Sequence, residues 1–213
     1  PGTADGHWDE PNGGLNGDYY PNYPNHHTAP DWRRWWIDGT ILPEFDRTRG
    51  SEPYIEGDRA QRYHKWGAAY KAGIYQVVNV TPCVAYELTA WTRSDASGSP
   101  LPHAKVGIDP TGTELTSSKN SGAIKHGFPP LTVWSQEQTR LGTWEPLSVT
   151  AEALTDQITA ILHAAPDQSS NANPFYSTLW DDASLIEKPY DNGKLPQRGS
   201  WTPTGYIQDL TTD

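Results

Sequence analysis

Two short stretches carry residue types suited to chemistry. The first is Trp180-Asp181-Asp182, an indole followed by adjacent carboxylates, at the head of the alternating segment Ala183-Ser184-Leu185-Ile186-Glu187. Paired carboxylates are hard oxygen donors, so this step suits an oxygen-ligand metal site or a clasp that closes a sheet. The second is Tyr86-Glu87-Leu88-Thr89-Ala90-Trp91-Thr92-Arg93. In an extended chain successive side chains point to opposite faces, so Tyr86, Leu88 and Ala90 share one face and belong in a core. Glu87, Thr89, Trp91 and Arg93 share the other. Indole, hydroxyl, carboxylate and guanidinium together match a sugar, whose C–H patches stack on a ring and whose hydroxyls need planar polar partners. The bland alternative is a solvated face on which Arg93 pairs with Glu87 and a loop covers Trp91.

A third cluster, Asp31-Trp32-Arg33-Arg34-Trp35-Trp36, packs three indoles and two guanidinium groups together. It reads either as a stacking platform or as anchors that hold the N-terminal segment down, since a buried aromatic covers a large area. Catalysis finds little support in the sequence. Seven His residues are scattered without a His-Glu-x-x-His spacing, and there is no Gly-rich phosphate loop and no Gly-x-Ser-x-Gly elbow. The expectation is a protein that is not an enzyme.

The elements that must position these groups are strands. The chain has 213 residues, with 19 Gly, 19 Pro, 10 Trp and 11 Tyr against 3 Phe and no Met. Gly and Pro supply turns, and the aromatic and β-branched residues supply strands. Eight candidate strands follow one another at short spacing: 60–63, 73–80, 84–93, 103–109, 131–135, 142–149, 157–163 and 177–187. Asp109-Pro110-Thr111-Gly112 closes one of them as a strong turn. Only 151–156 hints at a helical turn. The pattern predicts an all-β sandwich or jelly roll of about eight antiparallel strands. Its boundaries are expected at 51–187, with an irregular aromatic and Pro-rich arm over 1–50 that packs on the core and a polar tail over 188–213.

A net charge of −10 argues against a nucleic-acid partner, whose phosphates need a basic surface. No run of 18 apolar residues is present, so membrane insertion through a helix is not expected. Cys83 is the only cysteine, which excludes an intrachain disulfide and suggests a buried free thiol. The chain starts at Pro1, consistent with a removed leader or an excerpt, and an extracellular or cell-surface location is expected.

Four motifs in order resemble the jelly-roll carbohydrate-binding modules of the galactose-binding-like fold (the family 4, 9 and 22 type), found with bacterial extracellular glycoside hydrolases. Gly13-Gly14-Leu15-Asn16 stands where such modules open with Asn-Gly-Phe-Glu. Tyr86 to Arg93 matches their Tyr-x-Leu-Ser-Phe-Trp-Val-Arg-like strand. Gly142-Thr143-Trp144-Glu145 matches a Gly-Thr-Trp-Glu-like step, and Trp180-Asp181-Asp182-Ala183-Ser184-Leu185 a closing Phe/Tyr-Asp-Asp-x-x-Leu strand. The resemblance covers about residues 10–187. It implies a structural Ca²⁺ joining the opening turn to the last strand, with Asp181 or Asp182 as carboxylate ligand and Asn16 and the Gly14 backbone assisting. Asn16 replaces the usual acidic residue, which weakens that ligand set.

Two readings follow. In one, the protein is a non-catalytic carbohydrate-binding module whose polysaccharide or glycan lies on Trp91, Arg93 and Glu87, with Gln76 and Trp36. In the other, it is a structural subunit of an extracellular assembly (a surface layer, filament or virion decoration) that self-associates through its terminal arms.

Overall fold

The computed structural model describes residues 28–29, 31–48, 51–57, 59–116, 123–124 and 127–188. The opening turn with Gly14 and Asn16, the rest of residues 1–27 and all of the C-terminal tail but Lys188 lie outside these residues. Eleven strands and no helix make up the described chain: β1 (Arg33–Ile37), β2 (Glu44–Arg47), β3 (Gln61–Trp66), β4 (Ala72–Asn79), β5 (Ala85–Ala96), β6 (Lys105–Asp109), β7 (Ala123–Ile124), β8 (Val133–Trp134), β9 (Glu145–Glu152), β10 (Gln157–Ala164) and β11 (Phe175–Glu187). They form two sheets. One has six strands in the order β7-β1-β4-β10-β6-β8, the other five in the order β2-β3-β11-β5-β9. From β3 onward the long strands alternate between the sheets, and all pairings are antiparallel except β1 with β7. The fold is a jelly-roll β-sandwich.

The eight expected strands are present, several of them longer than expected. The expected helical turn at 151–156 is instead the end of β9 and a bend. The domain boundary near residue 50 falls too late, because β1 and β2 lie within the segment read as irregular. Strands of five and four residues are too short to show a period among prolines and aromatics. Pairing with β4 and β3 is what fixes them. Cys83 also differs from expectation: it is exposed, at φ 61° in the turn before β5.

Between the sheets lies the main core, built from inward residues such as Phe45, Tyr63, Ile74, Leu88, Leu162 and Trp180. Each large apolar side chain buried this way contributes about 1.5–3 kcal/mol. A second apolar cluster sits on the outer face of the six-stranded sheet, where Trp35, Tyr75, Ile124 and Ile161 pack with Phe128 and Trp134. Here glycine matters. A Cβ at Gly73 would meet the Leu162 carbonyl oxygen at 1.8 Å and the Trp35 ring at 2.7 Å, and one at Gly107 would meet the Trp134 ring at 2.6 Å. Both glycines lie directly across from these indoles, in the Trp35–Gly73 and Gly107–Trp134 registers. Two indoles therefore lie down on bare backbone. Phe128 wedges between them, edge-on to Trp35 at 4.9 Å and to Trp134 at 4.8 Å, with the buried His163 ring against all three. That outer face is closed by its own chain.

Candidate functional site

The outer face of the five-stranded sheet is built differently. Along β5 burial alternates residue by residue: Tyr86, Leu88 and Ala90 are buried, while Glu87, Thr89, Trp91 and Arg93 face outward. Registers then set the rows across this face. Asp95, Ser177, His64 and Glu44 form one row, Arg93, Leu179, Arg62 and Asp46 the next, and Pro146, Trp91 and Asp181 a third.

The guanidinium groups in these rows are already partnered. Arg93 donates from Nε to Asp95 Oδ2 at 3.0 Å and from Nη2 to Asp95 Oδ1 at 3.2 Å, a two-pronged grip that fixes the plane of the group. Arg62 is held between Asp46, at 3.3 Å, and Glu52. Glu87 pairs with Lys188 at 2.9 Å rather than with Arg93. His64 lies 3.6 Å from Glu44, and burial together with the nearby Arg62 lowers its pKa.

Asp181 is buried beneath the loop of residues 51–57. Its Oδ2 accepts the backbone N–H of Ile55 at 2.6 Å and of Glu56 at 3.2 Å, and its Oδ1 accepts the N–H of Asp182 at 2.9 Å. Burial raises its pKa, and these three donors only partly offset that. Asp181 therefore pins the 51–57 loop, a different role from the sheet-closing clasp expected of this step. Asp182 sits at φ 46° in the bulge between Asp181 and Ser184, where the register of β11 against β5 shifts. Both Asp181 oxygens face the positive ends of N–H groups, a poor fit to a Ca²⁺ ligand. Among the described residues no three His, Cys, Asp or Glu side chains gather at metal-binding distance. The remaining expected ligands, Asn16 and Gly14, lie outside the described residues.

Of the five expected sugar-binding residues, the structure brings Trp91, Arg93 and Glu87 onto one face. Gln76 and Trp36 are elsewhere. They belong to the six-stranded sheet and share the inward parity of Ile74 and Val78, with Trp36 packed against the main core under Arg34. Treating them as part of one surface fails because β4 and β5, though consecutive, lie in different sheets. The N-terminal indoles prove to be anchors: Trp32 and Trp35 are buried.

The sequence reading missed an aromatic pair on the candidate face. Trp66 is 60% exposed, and its ring lies 4.7 Å from that of Phe175 at 43°, with His64 beside Phe175. Alternation through His64-Lys65-Trp66 was the available signal, but the Trp66–Phe175 register is a long-range fact.

No family model matches the chain, and no curated protein matches it. Among solved structures it is similar to a family 61 carbohydrate-binding module in complex with β-1,4-galactotriose, at 14% identity and a TM-score of 0.48, covering 81% of this chain and 92% of that one. It is also similar to a family 22 xylan-binding domain from Paenibacillus barcinonensis Xyn10C, at 13% identity and a TM-score of 0.45, covering 76% and 89%. A third is the enzymatically active domain of bacteriophage CBA120 tailspike protein 4, at 8% identity and a TM-score of 0.46, covering 74% of this chain and 19% of that one. At such identities and scores, family and ligand are left to the chain's own residues.

Proposed function

We propose that the protein binds an uncharged glycan, without catalysis, on the outer face of its five-stranded sheet, and that it works in an extracellular setting. One observation carries this reading: Trp91, Arg93 and Asp95 line up on an outward face, with the guanidinium plane already fixed. The partly exposed Trp91 indole offers a surface for sugar C–H groups, and the Arg93–Asp95 pair offers donors and acceptors for hydroxyls. Because Arg62 and Arg93 are each neutralised by carboxylates, the face has little to attract a uronate. The 51–57 loop, pinned to Asp181, forms a wall beside this row and carries the half-exposed Tyr54.

Affinity gel electrophoresis against β-1,4-xylan, β-1,4-galactan, mixed-linkage β-glucan, galactomannan and polygalacturonate tests the reading. At least one neutral polymer should retard the protein, and Trp91→Ala should abolish the retardation. Unretarded migration in every gel, or an unaffected Trp91→Ala variant, would sink it.

A further inference from the structure

The glycan reading places Trp91 at the centre of the face, yet the most exposed indole among the described residues stands elsewhere on it. We infer that Trp66 and Phe175 form a second stacking subsite, so that the face holds an extended saccharide chain lying along β5 and β11 rather than a single terminal sugar. The inference rests on the glycan-binding reading of Trp91 and adds to it the length and direction of the ligand.

Three observations carry it. First, Trp66 is 60% exposed although its ring is fixed rather than loose, lying against Phe175 across the β3–β11 register. The chain on either side is tied down too, by the Gly67 N–H donating to the Pro174 carbonyl at 2.8 Å and the Ser97 N–H donating to the Phe175 carbonyl at 3.0 Å. An immobilised, solvent-facing indole is a preformed platform, which loses little entropy when a ring stacks on it.

Second, the pair shares its face with Trp91. Phe175, Ser177, Leu179 and Asp181 point outward on β11, and Asp181 is in register with Trp91. Six residue steps along the strand lead from Phe175 to Asp181, about 20 Å at the rise of an extended chain. That is the span of several sugar rings and too long for one.

Third, the path between the two platforms is polar. Its exposed groups are Asp95 and Arg93, whose side chains are part-exposed, while Ser177 and Leu179 in register with them are buried beneath. Two aromatic platforms separated by fixed hydrogen-bonding groups suit a chain that alternates ring faces and hydroxyl edges. A protein partner would favour a continuous apolar patch at the centre of the contact.

The test is isothermal titration calorimetry of the full chain with xylo-, galacto- and cello-oligosaccharides from di- to hexasaccharide. The hexasaccharide of the bound series should bind roughly tenfold or more tighter than the trisaccharide, the size of one added stacking contact. Trp66→Ala should remove that gain and leave trisaccharide affinity unchanged, and Trp66→Phe should keep part of it. Affinity that does not grow with length, or a Trp66→Ala loss equal for short and long ligands, would overturn the second subsite while leaving the Trp91 reading standing. No binding by any of the three series, or by manno-oligosaccharides of the same lengths, would overturn the Trp91 reading itself, and the second subsite with it.

Discussion

The two outer faces of this sandwich use the same residue types for opposite ends. On the six-stranded sheet, Trp35 and Trp134 lie flat over Gly73 and Gly107, and Phe128 closes the gap between them. On the five-stranded sheet, Trp91 and Trp66 project outward from positions faced by side chains, Asp181 and Pro146 across from Trp91 and Phe175 across from Trp66. What separates the faces is the partner across the strand. Glycine lets an indole sink onto backbone, whereas Asp181, Pro146 and Phe175 leave no such bare backbone across from Trp91 and Trp66. A cavity of about 440 Å³ opens at the rim of the closed face, but among the described residues its lining, apart from Thr113 and Glu114, is apolar, proline or glycine.

The comparison breaks most visibly through the closed face. Trp35→Ala should cost about 3–5 kcal/mol, the usual cost of truncating a fully buried Trp, read as a shift in the denaturant midpoint. Asp181→Ala comes next. It strands the N–H groups of Ile55 and Glu56, and about 1–3 kcal/mol should be lost, with faster hydrogen exchange at those two amides. Chelator should leave the melting temperature of the wild type unchanged if Asp181 serves only to pin this loop.

A third prediction concerns pH. Burial, reinforced by Lys105, pushes His163 down to about 3, while the unfolded chain titrates near the ordinary 6.5. Between those values the unfolded state binds more protons. The stability tied to a neutral His163 is therefore present above about pH 6.5 and is lost as pH falls toward 3. His163→Phe should narrow the difference between melting temperatures measured at pH 7 and pH 4.

A smaller effect of opposite sign belongs to His103, raised by its hydrogen bond to Glu137 at 2.6 Å and by Asp167 at 3.3 Å. Its contribution is present below the ordinary histidine value and fades as pH rises through the raised one. His103→Gln should flatten the alkaline side of the melting profile slightly. The smallest stability change is expected for Trp91→Ala, about 1 kcal/mol or less, although its effect on binding should be the largest.

What could be read from the sequence follows the range of the forces involved. The alternation of Tyr86 through Arg93 is local, and burial along β5 follows it residue for residue. The adjacent carboxylates of the Trp-Asp-Asp step stand out locally, but the loop that Asp181 pins lies more than a hundred residues away in the chain. The same limit hid Trp66, which gains meaning only through its register with Phe175, and it misplaced Gln76 and Trp36, whose sheet is set by topology. Gly73 and Gly107 carry no local signal of the rings that lie over them, because those rings come from other strands.

The most direct test of the central claim follows the indole N–H signals of ¹⁵N-labelled protein during titration with the xylo-, galacto- and cello-oligosaccharide series. The account predicts that Trp91 and Trp66 shift with ligand while Trp35 and Trp134 stay still. Shifts confined to Trp35 and Trp134, or no shift in any indole, would contradict it.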